Sequence, residues 1–553
     1  MRPIRFGLVL GFAATSLFAL QEATTVQQQQ RVQGGERQEE KKLPELSSEQ
    51  RRRASKLLQD AAANSADLSP AMRAYALSQI ARAYSRTQPA KVGLILEDAF
   101  QASIAIPQEE RFKVDLQRDI LRQLLPVNRA KVEELLPQAE PRARKDIMSA
   151  LTESYIREKK FEQAHDEIQQ IAQIEEFPYE VGTRLMLALP KDEAGTRQSI
   201  FSEALSSYVT HAHKGFSFGG GDFGEMVVRF HNGLPSSQII QAIDELLKQA
   251  KEGDAANIQL SSSGGNAAFS SYYEYCFFQL VPVLRDVDPG KAEALARDYQ
   301  NVQAMLKQYP NGQQSLDPAM GDSASDNQRR GVSFRVRSGG GSGPAPAIDN
   351  NANIRQLVQQ IQDLSHKDPA QAVSQARALP VRDGRSFPRR DAFMAVIANT
   401  WKEKPSIART ALQELVKSAD GLESGDKVDH YVDAARFYIK MEENEEAQKL
   451  LEKCTDLAND AIHQDANADN PNKALKAYWP SANSWRKIVQ TANQISPDLP
   501  NQLIKEISDP EIKVLTQVDL AKAVAGAPNG QIIVAIQRGK QNSMMMTDDR
   551  DEQ

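Results

Sequence analysis

Cysteine is almost absent, since the 553 residues include only Cys276 and Cys454. Small secreted domains that lack a large core depend on several disulfides, so two cysteines exclude that class. The two residues lie on opposite sides of a low-complexity segment, and we expect both to be buried free thiols that pack as small apolar side chains. The fold must therefore be held together by apolar packing.

Aromatic residues are also scarce, and neither sign of charge is in large excess. Aromatics make up 6% of the chain and the mean hydropathy is -0.52, which excludes a membrane protein and disfavours a large β-sandwich. With a net charge of -6 and an isoelectric point near 5.8, the chain lacks the basic surface of a nucleic-acid binder. Alternating polar and apolar residues, typical of strands, are nearly absent.

Motifs of known catalytic sites are missing as well. The sequence contains no G-x-S-x-G, no phosphate-binding loop, no H-E-x-x-H and no C-x-x-C. Acidic residues are plentiful, but runs such as Glu442–Glu446 are typical of solvated helix faces. We therefore assign no catalytic residue and no cofactor. We favour a protein that is not an enzyme and leave the question open.

Only one long apolar run occurs, from Phe6 to Leu20, and Arg2 and Arg5 precede it. This layout is typical of a secretory signal peptide, and the run is shorter than the about 20 residues of a spanning helix. We assign residues 1–20 to a signal peptide, with an uncleaved N-terminal anchor as the alternative. The mature chain is then expected without a transmembrane span, in the periplasm or outside a bacterial-type cell.

Helix-start signals are abundant in the rest of the chain. Ser47 and Gln50 have the spacing of a capping box. Five further sites place an oxygen-bearing side chain directly before a proline, an arrangement typical of a helix start. They are Ser69-Pro70, Asp288-Pro289, Asp368-Pro369, Ser496-Pro497 and Asp509-Pro510. Apolar residues recur between these sites at intervals of three and four, which predicts amphipathic helices.

The helices are predicted to pair into repeats. The intervals from Pro70 to Pro107 and from Pro141 to Pro178 each hold two amphipathic segments joined by a short polar turn. Two helices in a period of roughly 35 residues are the signature of a helical repeat array. The expected fold class is all-α, with helical-hairpin repeats of the α-solenoid type.

Three hairpins carry a small residue, an aromatic three positions later and a second small residue nine positions after that. The three sets are Ala81, Tyr84 and Gly93; Thr152, Tyr155 and Ala164; and Ala435, Tyr438 and Ala447. In this respect the chain resembles the tetratricopeptide repeats, whose small residues let two helices approach while the aromatic fills the gap to the next hairpin. The tryptophan, leucine and glycine that open the family's pattern are missing, so the resemblance is to a divergent or related α-solenoid repeat.

Composition divides the chain into six parts. They are a signal peptide (1–20), a disordered lead-in (21–44), a helical-repeat block (45–310), a flexible linker rich in glycine, serine and proline (311–350), a second helical-repeat block (351–541) and a disordered tail (542–553). Within the linker, Val332, Phe334 and Val336 alternate with polar residues. This pattern fits a strand that adds to a partner's sheet edge. We prefer a disordered segment, because the linker offers no partner strand.

One loop gathers three of the seven histidines beside a run of glycines. His211, His213 and His231, with Asp222, are weak candidates for a zinc, copper or nickel site. On a helix, the side chains of His211 and His213 point in nearly opposite directions, so we prefer an irregular, solvated insertion and assign no metal.

The same insertion, residues 215–224, departs most from the repeat pattern. Its aromatic residues Phe216, Phe218 and Phe223 form our candidate contact surface, because insertions in a solenoid often lie on its binding face. Arg382, Arg385, Arg389 and Arg390 form the densest basic patch, which we interpret as a solvated helix start.

The features together predict an exported helical-repeat scaffold that binds a protein or peptide and no nucleic acid. The alternative is a periplasmic enzyme on an α-helical scaffold, dependent on a metal or acting on glycans. Glycan clefts are usually rich in aromatic side chains, and the chain has only three tryptophans.

Overall fold

The all-α fold class is confirmed. The computed structural model describes residues 45–211, 222–252, 257–262, 265–312, 315, 333–337, 350–384, 386–468 and 473–527. These residues form 23 α-helices, several short 3-10 turns and three short strands. None of the helices in this part of the chain has the length and apolar character needed to cross a membrane.

The chain forms two compact units, which alternate along the sequence. What we call the split unit combines residues 44–154 with residues from 342 onward, and the inserted unit includes residues 155–341. The helices of the first half of the split unit are α1 (Ser48–Asn64), α2 (Pro70–Thr87), α3 (Val92–Ile104), α4 (Phe112–Leu124), α5 (Arg129–Leu135) and α6 (Pro141–Arg157), the last of which extends past the boundary.

The second half of the split unit adds nine helices. They are α15 (Asn350–Lys367), α16 (Pro369–Ala378), α17 (Pro388–Thr400), α18 (Pro405–Lys417), α19 (Ser424–Lys440), α20 (Asn444–Asn467), α21 (Pro480–Ile495), α22 (Leu499–Lys505) and α23 (Pro510–Val524). Consecutive helices pack as hairpins, most extensively α19 with α20 and α2 with α3. This packing is consistent with the predicted helical repeats.

The elements of the inserted unit lie between these halves in the sequence. They are α7 (Phe161–Ile174), α8 (Tyr179–Ala188), α9 (Ala194–Thr210), α10 (Phe223–Phe230), α11 (Ser236–Glu252), β1 (Asn257–Ser262), β2 (Gly265–Phe269), α12 (Tyr272–Val287), α13 (Pro289–Asp298), α14 (Gln300–Gln308) and β3 (Ser333–Arg337). Helix α12 is buried on most of its surface, because apolar side chains surround its axis and α11, α13, α14 and β2 pack against it.

The first helices of the split unit pack on the last one. Helices α1 and α2 contact α23, so chain segments more than 400 residues apart share one core. Lys522 is only 4% exposed and donates to Gln79 Oε1 at 2.9 Å. Asp519 lies between Lys522, at 3.8 Å, and Arg486, which donates to it from Nε at 2.6 Å. The sequence predicts two blocks of helices, divided at the linker. The compact units divide them instead near residues 154 and 342.

Most predicted helix starts coincide with real ones. The Ser47–Gln50 capping box is present, and Asp288, Asp368 and Asp509 accept backbone N–H groups in the first turns of their helices. The Ser69-Pro70 pair also precedes a helix, but the Ser69 hydroxyl makes no cap. After Ser496-Pro497 the helix begins only at Leu499, whose N–H donates to Ser496 Oγ at 3.2 Å.

The linker prediction needs one correction. Residues 316–332 and 338–349 lie outside the described residues, but β3, for which we preferred disorder, is a strand. Together with the β1–β2 hairpin it forms an antiparallel sheet in the order β2-β1-β3. The partner strand is supplied from the same chain by residues far upstream, which is why the linker by itself offered none.

The expectation of two free thiols is confirmed. Cys276 in α12 and Cys454 in α20 are both buried and unpaired. Burial in apolar surroundings raises the pKa of both thiols, because it disfavours the charged thiolate. The cysteines therefore act as core side chains.

We predict that Asp519→Ala destabilises the split unit by about 3–5 kcal/mol, because it leaves the buried Lys522 and the partly buried Arg486 without their carboxylate. The measurement is urea unfolding followed by tryptophan fluorescence, since all three tryptophans (401, 479 and 485) belong to this unit. The control is Asp456→Ala, which removes an exposed carboxylate on α20. Equal loss of stability in the two variants would contradict the role given to Asp519.

Candidate functional site

The strongest candidate site is an open groove in the split unit, with a volume of about 290 Å³. Four segments meet around it: the start of α2, the turn between α3 and α4, the chain before α21 and the first turn of α23. The lining residues are Ser69, Pro70, Ala71, Ile106, Pro107, Glu110, Phe112, Lys473, Ala474, Lys476 and Glu511. Both halves of the split unit therefore contribute to the groove.

The lining of the groove is mainly apolar. Ile106 and Phe112 are each only 2% exposed and belong to the core beneath the groove. Pro70, Pro107 and Ala474 are more exposed. Proline lies at the first helical position of α2 because its fixed φ suits a helix start and its missing N–H needs no partner there. An apolar side chain of a ligand would be shielded from water here.

One wall of the groove is polar and internally paired. Glu511 accepts hydrogen bonds from the Ser69 N–H at 3.1 Å and from the Ser69 hydroxyl at 2.6 Å. Lys476 forms ion pairs with Glu511, at 2.9 Å, and with Asp509. Burial lowers the pKa of Lys476, but its hydrogen bonds to the two carboxylates outweigh burial and raise the pKa overall. This wall joins α2 to α23.

Two charges at the groove have no such partner. Glu110 lies just before α4, and Lys473 lies in the chain segment before α21. Neither side chain has an ion-pair or hydrogen-bond partner among the residues that the structure describes. A ligand with a cation near Glu110 and an anion near Lys473 would gain both interactions, each worth on the order of 0.2–1 kcal/mol at an exposed position.

A second cluster of charges lies around His430, where α17, α19 and α21 pack together. Arg390 donates from Nε to Asp433 Oδ2 at 2.9 Å, and Lys487 donates to Asp429 Oδ1 at 2.7 Å. His430 is only 1% exposed, and its Nδ1 lies 2.8 Å from the carbonyl oxygen of Asp426. Its Nε2 has no hydrogen-bond partner among the described residues.

The pKa shifts in this cluster follow from burial. Burial lowers the pKa of His430, and it raises the pKa of Asp391 although the nearby Arg390 acts in the opposite direction. The cationic and acidic side chains of the cluster are paired with one another across the helices. We therefore regard the cluster as a structural network that joins three helices.

From the sequence, we interpret the basic patch as a solvated helix start. In the structure, three of its four arginines have hydrogen-bond or ion-pair partners. Arg390 is paired with Asp433, Arg382 pairs with Asp426 at 3.2 Å, and Arg389 donates to the carbonyl of Leu379 at 2.8 Å. Arg385 lies outside the described residues. The acids that neutralise the patch lie some 40 residues downstream on α19, so the local sequence gave no indication of them.

The histidine loop is only partly described, because His213 lies outside the described residues. Asp222 caps α10, accepting the Glu225 N–H at 2.9 Å, and the His211 ring lies 2.8 Å from the carbonyl oxygen of Ser207. The His231 ring lies against Val228 O, at 2.8 Å, and Asp286, at 3.2 Å. In the described ranges, no three His, Cys, Asp or Glu side chains are grouped so that they could hold a metal ion.

The aromatic contact surface needs a correction at Phe223, while Phe216 and Phe218 lie outside the described ranges. Phe223 is only 1% exposed. Its ring stacks on Tyr208, with centroids 4.8 Å apart, and lies 5.6 Å from Phe201 and 5.8 Å from Tyr179. This ring therefore belongs to the core of the inserted unit and offers no contact surface.

The groove was not predicted from the sequence. Its residues come from two regions, 69–112 and 473–511, and no local pattern in either region indicates that they meet. In the sequence, Lys473 and Glu110 resemble any other charged residue of a helical protein.

Comparison with known proteins adds no relative. No protein-family model matches the chain, and no curated protein is significantly similar to it in sequence.

We predict that acid weakens the split unit through His430. Because burial lowers the pKa of this imidazole, the folded state binds a proton less readily than the unfolded chain does, whose histidine pKa is about 6.5. The unfolding free energy should therefore fall as the pH drops below about 6.5, and His430→Gln should lose less of it between about pH 7.5 and about pH 5. Urea unfolding followed by tryptophan fluorescence at several pH values measures this.

His463→Gln is the matched control, because His463 is exposed on α20 in the same unit. An unchanged acid dependence in His430→Gln, or an equal reduction in His463→Gln, would show that another group is responsible.

Proposed function

We propose that this protein is a scaffold that binds a protein or peptide partner through the groove of the split unit. The supporting observation is the combination of an apolar floor with two charges, Glu110 and Lys473, that lack described partners. Small-molecule sites usually measure roughly 300–1,000 Å³ and enclose most of their ligand. A groove of about 290 Å³ that is open to solvent suits one or two side chains of a longer chain better than a cofactor.

The proposed ligand segment inserts one apolar side chain toward Ile106 and Phe112. A basic residue on one side of this anchor lies near Glu110, and an acidic residue on the other side lies near Lys473. The apolar anchor supplies most of the affinity because it leaves water, whereas the partly buried Glu110 and the exposed Lys473 mainly set orientation.

We infer further that the hairpins are of the tetratricopeptide type. At the α19–α20 hairpin, the two small residues Ala435 and Ala447 are fully buried, and Tyr438 lies between them in the sequence and is partly buried. At α2–α3, Ala81 is fully buried and Tyr84 is 2% exposed. At α17–α18 the same spacing would start at Ala398 and Trp401 and place Thr410 at the second small position, but Thr410 is exposed and the buried small residues there are Ala408 and Ala411.

We also propose that the chain is exported to the periplasm or the cell exterior. Residues 1–20 lie outside the described residues, so this proposal is based on the sequence alone. Its support is the positive start at Arg2 and Arg5 followed by the apolar run from Phe6 to Leu20.

Peptide binding is tested with a phage library of random 12-residue peptides selected on the full-length protein. We expect enriched sequences that share an apolar residue flanked by charge. With one enriched peptide, labelled for fluorescence anisotropy, Glu110→Lys and Lys473→Glu should each raise the Kd about two- to fivefold. Pro107→Arg should raise it more than about tenfold, because a long side chain at the exposed Pro107 fills the groove.

Two charge reversals elsewhere in the split unit serve as controls. Glu403→Lys and Lys453→Glu change exposed residues that do not line the groove, and both should leave the Kd unchanged. If no peptide is enriched, or if the groove variants and the controls bind alike, the groove is not the binding site.

Export is tested by fusing residues 1–30 to an alkaline phosphatase that lacks its own leader and becomes active only after its disulfides form outside the cytoplasm. The fusion should be active in a bacterial host. Leu10→Arg, which places a charge in the apolar run, should abolish activity, whereas Gln27→Arg beyond the run should not. An inactive fusion with the natural sequence would rule out a working export signal.

A further inference from the structure

Strand β3 occupies one edge of a sheet that is formed by residues far from it in the sequence. β1 and β2 form a hairpin, and β3 pairs antiparallel with the other side of β1. Asn257–Ser262 and Ser333–Arg337 are separated by β2, three helices and residues 316–332. β3 is thus seated on β1 in the way that a separate peptide would be.

The attachment of β3 is limited to one backbone ladder. β3 is five residues long, and β1 is the one strand it pairs with in the described part of the chain. Short strands held by a single ladder are marginal in water. β1 has a second ladder to β2, and β2 contacts α12 and α14. The β1–β2 hairpin is therefore the more stable part, and β3 is the part that can exchange.

We propose that the edge of β1 covered by β3 is a binding site for an extended peptide segment of a partner, and that β3 is its internal competitor. Adding a strand to a sheet edge is a recurrent mode of peptide recognition, in which main-chain hydrogen bonds supply affinity and alternate side chains supply specificity. The proposal involves no residue of the groove and does not depend on peptide binding there.

The register of β3 defines the chemistry of the partner segment. Val336 is paired with Ile258 and Phe334 with Leu260, while Arg335 is paired with Gln259. Ile258 is fully buried and Gln259 is exposed, so alternate positions along β1 belong to the core side and the solvent side of the sheet. The partner segment should alternate apolar residues, placed opposite Ile258 and Leu260, with polar or basic ones.

The covalent attachment of β3 makes the site self-occupied. A tethered segment competes at an effective concentration on the order of millimolar, so a free peptide of equal intrinsic affinity binds only weakly to the intact chain. A partner must either pair better than β3 or be tethered nearby itself. Loss of β3 should therefore expose the site.

The test uses the full-length chain with residues 333–337 replaced by a glycine-serine sequence of the same length. The probe is a fluorescein-labelled synthetic peptide of residues 331–339, Gly-Val-Ser-Phe-Arg-Val-Arg-Ser-Gly. Fluorescence anisotropy should give a Kd at least about tenfold lower for the replaced chain than for the natural one. No tightening in a replaced chain with a native circular dichroism spectrum would overturn the proposal.

Two control peptides separate backbone pairing from nonspecific attraction of a basic peptide. One has the same sequence with N-methylated amides, which cannot donate to β1, and the other has the same composition in scrambled order. Both should bind at least about tenfold more weakly than the probe. Equal binding of the N-methylated peptide would overturn strand addition as the mode of recognition.

A second variant tests the role of β3 without removing it, in case the replaced chain fails to fold. Gln259 and Arg335 are directly paired, and opposite residues in an antiparallel pair are close enough for a disulfide. In Gln259→Cys/Arg335→Cys, oxidation should form an intramolecular disulfide and abolish the residual peptide binding, and reduction should restore it. No intramolecular disulfide, or binding unaffected by it, would overturn the role of β3 as the internal competitor.

Discussion

The packing of α1 and α2 on α23 is the interaction on which the split unit depends. It joins parts of the chain that are far apart in sequence, and its polar centre is the carboxylate of Asp519 between Arg486 and Lys522. The entropic cost of closing a loop grows only with the logarithm of its length. The inserted unit can therefore lie within the sequence of the split unit without a prohibitive penalty, provided that this contact is well packed and its buried charges are matched.

The groove is a consequence of the same contact. Ser69 and Phe112 come from the first half of the split unit, while Lys476 and Glu511 come from the second, and the Ser69–Glu511 hydrogen bonds cross between them. A ligand held by both halves binds the closed unit and not the separated halves, so it stabilises the closure by mass action. The proposed binding is thereby coupled to folding of this unit, and a loss of closure would abolish the groove even if every lining residue were unchanged.

Local features were predictable from the sequence, whereas partners were not. The capping box at Ser47 and the caps at Asp288, Asp368 and Asp509 involve residues within four positions of one another, so the sequence contains all the information that they need. Amphipathic spacing likewise predicts that a helix buries one face, but it does not say against which helix. The groove, the burial of Phe223 and the pairing of β3 with β1 all depend on such long-range choices.

The two proposed binding sites use two different physical modes of recognition. In the split unit, helices satisfy most of their own backbone groups, so the proposed ligand is recognised there mainly through side chains such as Phe112, Glu110 and Lys473. In the inserted unit, β1 needs a neighbour for its backbone groups on each side, and β2 and β3 supply them. A helical array has no strand edge whose backbone groups need an added strand. At the proposed site on the short sheet, recognition of an extended segment therefore depends on the backbone and on alternation more than on a particular side chain.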